Sequence, residues 1–120
     1  MIWPSNSSLL YYRIQRYVYT MVKLKSSNLP YYLSVMGATV VMWASPQCKL
    51  CKQQLDSIDS KKLVGLGYEF LYIDGHQWDS LCDDWEIDRF PTYMIFDRNS
   101  NMVERMEYNE FDKLKEIWKE

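Results

Sequence analysis

Before Asp56 the chain carries no acidic side chain, and its 120 residues include one histidine, three cysteines, four glycines and four prolines. Each scarcity removes a class of answer. Three unevenly placed cysteines are too few for a secreted disulfide scaffold, so a reducing compartment is expected. A zinc site would need Cys82 and the lone His76 beside Cys48 and Cys51, and that second pair has no regular finger spacing. No metal is therefore expected. The chain also lacks internal repeats and low-complexity linkers. Its apolar run around Val40-Val41-Met42-Trp43 falls well short of the ~18 residues of a bilayer span. Met1 to Ser8 lacks the basic start of a secretory signal, and Arg13 and Arg16 interrupt the apolar stretch that follows. Cytoplasmic residence away from membranes is the resulting expectation.

The missing acids make the charge lopsided. Arg13, Arg16, Lys23, Lys25, Lys49 and Lys52 give residues 1–55 a charge of +6, while 16 acids against 8 bases give residues 56–120 a charge of −8, which together make the net −2. Six positive charges spread over that length, with no recognised binding motif, do not form a nucleic-acid surface. They attract an acidic partner or settle against the chain's own acidic half.

A chain of this length, 48% hydrophobic and 16% aromatic, can build one packed core but not two. One domain over residues 26–120 is expected, with residues 1–25 as an N-terminal arm or a first strand or helix. Leu10, Ile14, Tyr17, Met21 and Leu24 fit a helix that Ser7 or Ser8 could cap. The tyrosine and valine content favours a strand instead, with residues 17–24 as a sheet edge. Met21 could also be an alternative start.

Strands and helices alternate from there on. Asn28 and Pro30 predict a helix over Leu29 to Met36, ended by Gly37, before a buried strand from Ala38 to Ala44. Cys51, Leu55 and Ile58 predict a helix from Cys48 to about Leu63, closed by Gly65 and Gly67. Tyr68 to Ile73 reads as a strand. Trp78, Leu81, Cys82 and Trp85 share one face of a helix over Gln77 to Glu86, which makes Cys82 a core residue. Pro91 to Phe96 and Met102 to Tyr108 form a hairpin about the turn at 97–101, and Asn109 caps a last helix with Phe111, Leu114, Ile117 and Trp118 on its apolar face.

Cys48-Lys49-Leu50-Cys51 is where chemistry concentrates. The spacing alone fits a redox dithiol, half of a zinc site or an inert buried pair. If a helix begins at Cys48, that thiol meets unpaired N–H groups and the positive dipole end, and both favour thiolate. Lys49 and Lys52 beside the dithiol also favour thiolate, and the charge of Lys49 next to the first thiol stabilises the reduced form and makes the pair a better oxidant.

Two motifs in order give the chain a resemblance to the thioredoxin superfamily over residues 28–120. The first is Val40-Val41-Met42-Trp43-Ala44-Ser45-Pro46-Gln47-Cys48-Lys49-Leu50-Cys51-Lys52. The second is Arg89-Phe90-Pro91-Thr92, with Pro91 placed 43 positions after Cys48. The resemblance implies an α/β thioredoxin-like fold, a central mixed β-sheet flanked by helices. It further implies a cis bond before Pro91, which otherwise reads as an ordinary strand-start proline. Cys48 becomes the nucleophile and Cys51 the resolving thiol. Phe90, Pro91 and Thr92 become the facing wall of a substrate groove, with Phe90 offering its backbone to the docked chain. Trp43 and Pro46 border that groove, although Trp43 taken alone reads better as simple core.

Departures from the family pattern are also visible. Val41 stands where thioredoxins carry a buried acid, so a general base for Cys51 is missing. Ser45-Pro46-Gln47-Cys48 looks more like the approach found in glutaredoxins. The activity implied is dithiol–disulfide exchange with protein disulfides, ribonucleotide reductase among the clients suggested by the resemblance. It needs no cofactor beyond the redox-active disulfide and an external reductant, in practice a reductase that regenerates the dithiol. Two other classes remain: a non-enzymatic thioredoxin-like binding module or subunit, and a glutathione-dependent glutaredoxin-like enzyme.

Overall fold

The structure is a computed structural model and describes residues 22–119. At its centre lies the apolar run of the sequence, Thr39–Ala44 (β2), whose six residues are all buried. A strand covered on both faces has no polar side to show, which is why this one reads as a continuous run rather than an alternation. Around it are Val22–Lys23 (β1), Glu69–Asp74 (β3), Thr92–Phe96 (β4) and Met102–Glu107 (β5), in the order β1-β3-β2-β4-β5. Both β1 and β2 run parallel to β3, whereas β4 is antiparallel to β2 and β5 antiparallel to β4. The result is the mixed central sheet that the sequence implied.

Strand periodicity sorts the side chains into two cores. Val41 and Trp43, with Leu71, Ile73, Met94 and Phe96, pack against helices Leu29–Met36 (α1) and Asp79–Asp84 (α4). Val40, Met42 and Ala44, with Phe70, Tyr93, Ile95 and Met106, face helices Lys49–Ser57 (α2), Ser60–Gly65 (α3) and Phe111–Lys115 (α5). Cys82 lies in the first core, as its helical spacing predicts, and Cys51 in the second.

Local signals account for most element ends. The Asn28 side chain accepts the Tyr31 N–H at 3.3 Å to open α1, and Gly37 closes it at φ 81°. Beyond α4, Glu86 takes φ 57°, and the Arg105 guanidinium donates to the freed carbonyls of Glu86 (2.7 Å) and Trp85 (3.4 Å). A cation on the last carbonyls completes that helix end.

Most boundaries shift by a residue or two from the expected ones, and three differences have a visible cause. The single helix from Cys48 to Leu63 is two, because Ile58 turns extended and Asp59 caps α3 by accepting the Lys62 N–H at 3.1 Å. A β-branched residue followed by a side chain that competes for backbone N–H groups is a weak point in any helix. The next helix starts at Asp79 rather than Gln77, since the Asp74 carboxylate holds the His76 and Gln77 N–H groups in a turn. Asn109 does not cap the last helix. Glu107 and Glu110 instead form a reciprocal capping box around the 3-10 turn Tyr108–Glu110 that leads into α5.

At the N-terminal side, β1 pairs Val22 with Leu71 and Lys23 with Tyr72, so the sheet begins ahead of residue 26 and this stretch is strand. The helix reading over Leu10 to Leu24 fails at its end, where Leu24 is buried and its N–H donates to the Tyr72 carbonyl at 3.3 Å, while the rest of it, its Ser7 or Ser8 cap and the arm reading lie outside the described residues. At the other side β5 pairs with β4 through a register shift at Ile95/Phe96, and its Met102 and Val103 are exposed.

The split of α2 from α3 makes a direct prediction. Asp59→Ala should lower the unfolding free energy by about 1 kcal/mol, the usual loss for a helix N-cap. Urea denaturation reads this, and an unchanged midpoint would show that the cap contributes nothing.

Candidate active site

Three strand ends meet at one edge of the sheet. The register sets Ala44 at the end of β2 beside Asp74 at the end of β3, and Trp43 beside Thr92 at the start of β4. The segments continuing from them, Ser45 to Cys48, Gly75 and Phe90-Pro91, therefore converge. Ligand and reaction sites of open α/β sheets gather at such carboxyl ends.

The turn into α2 is built locally. The Ser45 hydroxyl oxygen accepts the Gln47 N–H at 3.3 Å, the Ser45 carbonyl accepts the Cys48 N–H at 3.0 Å, and Pro46 is exposed at the tip. Cys48 is thereby the N-cap of α2, with extended backbone, and its sulfur accepts the Cys51 N–H at 3.0 Å. A hydrogen bond from a free helix N–H stabilises a sulfur that carries negative charge. Cys48 and Cys51 are joined as a disulfide with Cα atoms 5.2 Å apart. Cys48 is partly exposed and Cys51 only 3% so. An attacking partner can reach the first sulfur and not the second.

Opposite stands the loop before β4. The peptide bond between Phe90 and Pro91 is cis, and the Phe90 carbonyl oxygen lies 3.8 Å from the Cys48 sulfur. Phe90 is half-buried and Pro91 buried. The Thr92 hydroxyl turns inward and donates to the Arg89 carbonyl at 2.7 Å. Thr92 is fully buried, so its side chain shapes the turn and does not line the groove. Trp43 is corrected in the same way. It is fully buried, its ring centroid 6.3 Å from that of Trp85, and its indole N–H has no hydrogen-bond partner among the described residues. Of the expected groove residues, Pro46 and Phe90 hold the accessible surface. Pro46 also rims a cleft of ≈ 340 Å³ bordered by Leu55, Tyr72 and Trp78.

Lys49, next to Cys48, and Lys52, next to Cys51, are both exposed on α2. Solvent damps the field of exposed ammonium groups, so the helix N–H is the more direct influence on this sulfur. Val41, where an acid was missing from the sequence pattern, is fully buried in the core. Cys82 is no partner to the dithiol. It is buried, its sulfur faces the Gly75 carbonyl at 3.9 Å, and burial, reinforced by Asp83, Asp79 and Asp74, pushes its thiol up. Among the described residues no three His, Cys, Asp or Glu side chains are grouped as metal ligands. Nor is any helix among them long and apolar enough to cross a membrane.

Two contributors escaped the sequence reading. Gly75, whose N–H donates to the Ala44 carbonyl at 2.7 Å, lies under the Phe90 ring so closely that a Cβ there would collide with it. Gln54, one turn past Cys51, is buried and hydrogen-bonded at both ends of its amide. A polar residue on an otherwise apolar helix face was the available signal. Its partner Tyr93 is buried and its hydroxyl pushed far up by desolvation.

No family model matches the chain, and no protein of curated function matches it by sequence. Solved structures do. Thioredoxin NaTrxh from Nicotiana alata is 21% identical with a TM-score of 0.64, over 84% of this chain and 94% of that one. Thioredoxin f2 from Chlamydomonas reinhardtii is 20% identical with a TM-score of 0.69, over 81% and 92%. Thioredoxin from Trypanosoma brucei brucei is 16% identical with a TM-score of 0.69, over 88% and 93%. The fold is thus thioredoxin-like.

The contact between Gly75 and Phe90 is testable. Gly75→Ala should lower stability by about 1–3 kcal/mol as the ring is forced aside, and Phe90→Leu in the same chain should recover part of the loss. Simply additive losses in denaturant would show that the ring is not the obstacle. A second expectation concerns alkaline pH. Folding raises the Tyr93 hydroxyl above the ordinary phenol value of about 10, so the folded chain holds a proton that the unfolded chain releases. Stability from this group is intact below that pH and declines above it. Tyr93→Phe should flatten the decline, and identical pH slopes for the two chains would contradict the assignment.

Proposed function

We propose that the chain is a thiol–disulfide oxidoreductase that exchanges its Cys48–Cys51 dithiol with protein disulfides. The observation that carries this reading is the placement of one partly exposed sulfur at the N-cap of α2, facing the backbone carbonyl before a cis proline. The thioredoxin-like fold supports it. In the reducing direction, the Cys48 thiolate attacks one sulfur of a substrate disulfide and forms a mixed disulfide, and the other substrate sulfur leaves as thiolate and takes up a proton. Cys51 then gives up its proton and attacks the Cys48 sulfur. The second substrate thiolate departs, and the Cys48–Cys51 disulfide closes. Two electrons have passed to the substrate, whose second thiolate takes up the proton that Cys51 gave up, and an external reductant in a reducing, cytoplasmic setting restores the dithiol.

Phe90 and Pro46 are the residues with surface to offer a docked chain, Phe90 through its backbone and Pro46 through the cleft beside it. The lysines at 49 and 52 favour substrates with acidic residues near the disulfide. Protein disulfides, with ribonucleotide reductase as one candidate, are the class that fits.

Cysteine variants test the assignment of roles. Cys51→Ser should accumulate covalent mixed disulfides with substrate proteins, and Cys48→Ser should not, as read on non-reducing gels. The unaltered chain should accelerate reduction of insulin by dithiothreitol. Background rates with equal trapping by both variants, or by neither, would reject the proposal and leave a binding module. Retained activity of Cys51→Ser on a glutathione mixed disulfide would instead select the glutathione-dependent class.

A further inference from the structure

On α2 the inward face is formed by Cys51 and Leu55, and one polar side chain interrupts it. Gln54 is only 8% exposed. Its Oε1 accepts the Tyr93 hydroxyl at 2.7 Å and its Nε2 donates to the Tyr108 carbonyl at 2.9 Å. Burying an amide without partners is costly, and an apolar side chain would cover the same face without that requirement. Packing does not call for glutamine here. What the amide adds is direction. Apolar contact is non-directional and tolerates small slides of a helix, whereas two short hydrogen bonds fix its rotation and register.

The elements joined are the ones the reaction uses. Gln54 lies one turn beyond Cys51, Tyr93 lies on β4 two residues after Pro91, and Tyr108 opens the 3-10 turn after β5. In the oxidised chain the disulfide itself pins Cys51 to Cys48. In the mixed-disulfide state that covalent tie is open, because the Cys48 sulfur is bonded to substrate. The hydrogen bond from Tyr93 to Gln54 then still holds the first turns of α2 to the strand that follows the cis proline. Desolvation keeps the Tyr93 hydroxyl protonated, and so a donor, throughout the neutral range.

We infer that Gln54 and Tyr93 are positioning residues for the resolving step, holding Cys51 where it can attack the Cys48 mixed disulfide. This rests on the dithiol-exchange reading above. It separates two steps that the Cys48 and Cys51 sulfurs perform in turn, since the clamp acts on the second and leaves the first alone.

Stopped-flow measurement with a disulfide-linked peptide pair carrying a fluorophore and a quencher, with quenched-flow trapping of the mixed species, resolves both steps. Tyr93→Phe removes one oxygen, and Gln54→Met keeps the chain length while removing both polar atoms. Mixed-disulfide formation should stay within about twofold of the unaltered chain, and its resolution by Cys51 should slow about tenfold, the scale of one lost buried hydrogen bond. The double variant should resolve no more slowly than Gln54→Met alone, because both substitutions break the same bond. Unaltered resolution in folded Tyr93→Phe, or equal slowing of both steps, overturns the inference and leaves dithiol exchange standing. Failure of both variants to fold also overturns it, by showing a structural role only. If the unaltered chain forms no mixed disulfide, the exchange reading falls and takes the inference with it.

Discussion

β2 is buried on both faces against different sets of helices, and this constraint decides where the dithiol emerges. A strand in that position cannot slip by one residue, because a slip would exchange every side chain between the two cores. Trp43 belongs on the α1 and α4 side and Met42 on the α2 and α5 side. Ala44 then has one place to end, and the Ser45–Cys48 turn one place to start. The neighbouring strands are held by the same register, so Gly75 and the cis Phe90-Pro91 bond arrive at the same edge.

The environment of the two sulfurs follows from that geometry. Cys48 is a cap residue, outside the helix by backbone and tied to it by the Cys51 N–H, while Cys51 is inside the helix and inside the core. One helical turn thus supplies both the difference in accessibility and the polarity that favours charge on the outer sulfur. The lysines act from solvent and reinforce this effect without creating it. No carboxylate stands at Val41, so a proton leaving Cys51 has no buried acceptor at that site.

Much of this was legible in the sequence because it depends on local chemistry. The bounds of α1 follow from Asn28, Pro30 and Gly37, and the central strand from a run of apolar residues too short for a membrane. The cis proline was implied by family resemblance and not by any property of Pro91 itself. What stayed hidden depends on contacts distant in sequence or on competition between nearby side chains. Trp43 gives no hint in sequence of which way its ring faces, and its burial against Trp85 removes it from the groove. Thr92 is turned inward by a carbonyl three residues back. Asp59 wins a backbone N–H from what would have been one longer helix, and the acids at 107 and 110 do the work expected of Asn109. Gln54 has meaning only beside Tyr93, 39 positions away.

The outer strand β5 has a consequence for how the molecule behaves in concentrated solution. Its exposed Met102 and Val103 would invite strand addition from a neighbouring copy, the first step toward aggregation. Irregular pairing at Ile95/Phe96 bends this border of the sheet, and Glu104, Arg105 and Glu107 line it with charge, two of them engaged by Lys113 and Arg89. The same arginine that finishes α4 therefore also helps to keep a naked ladder from zipping onto its twin.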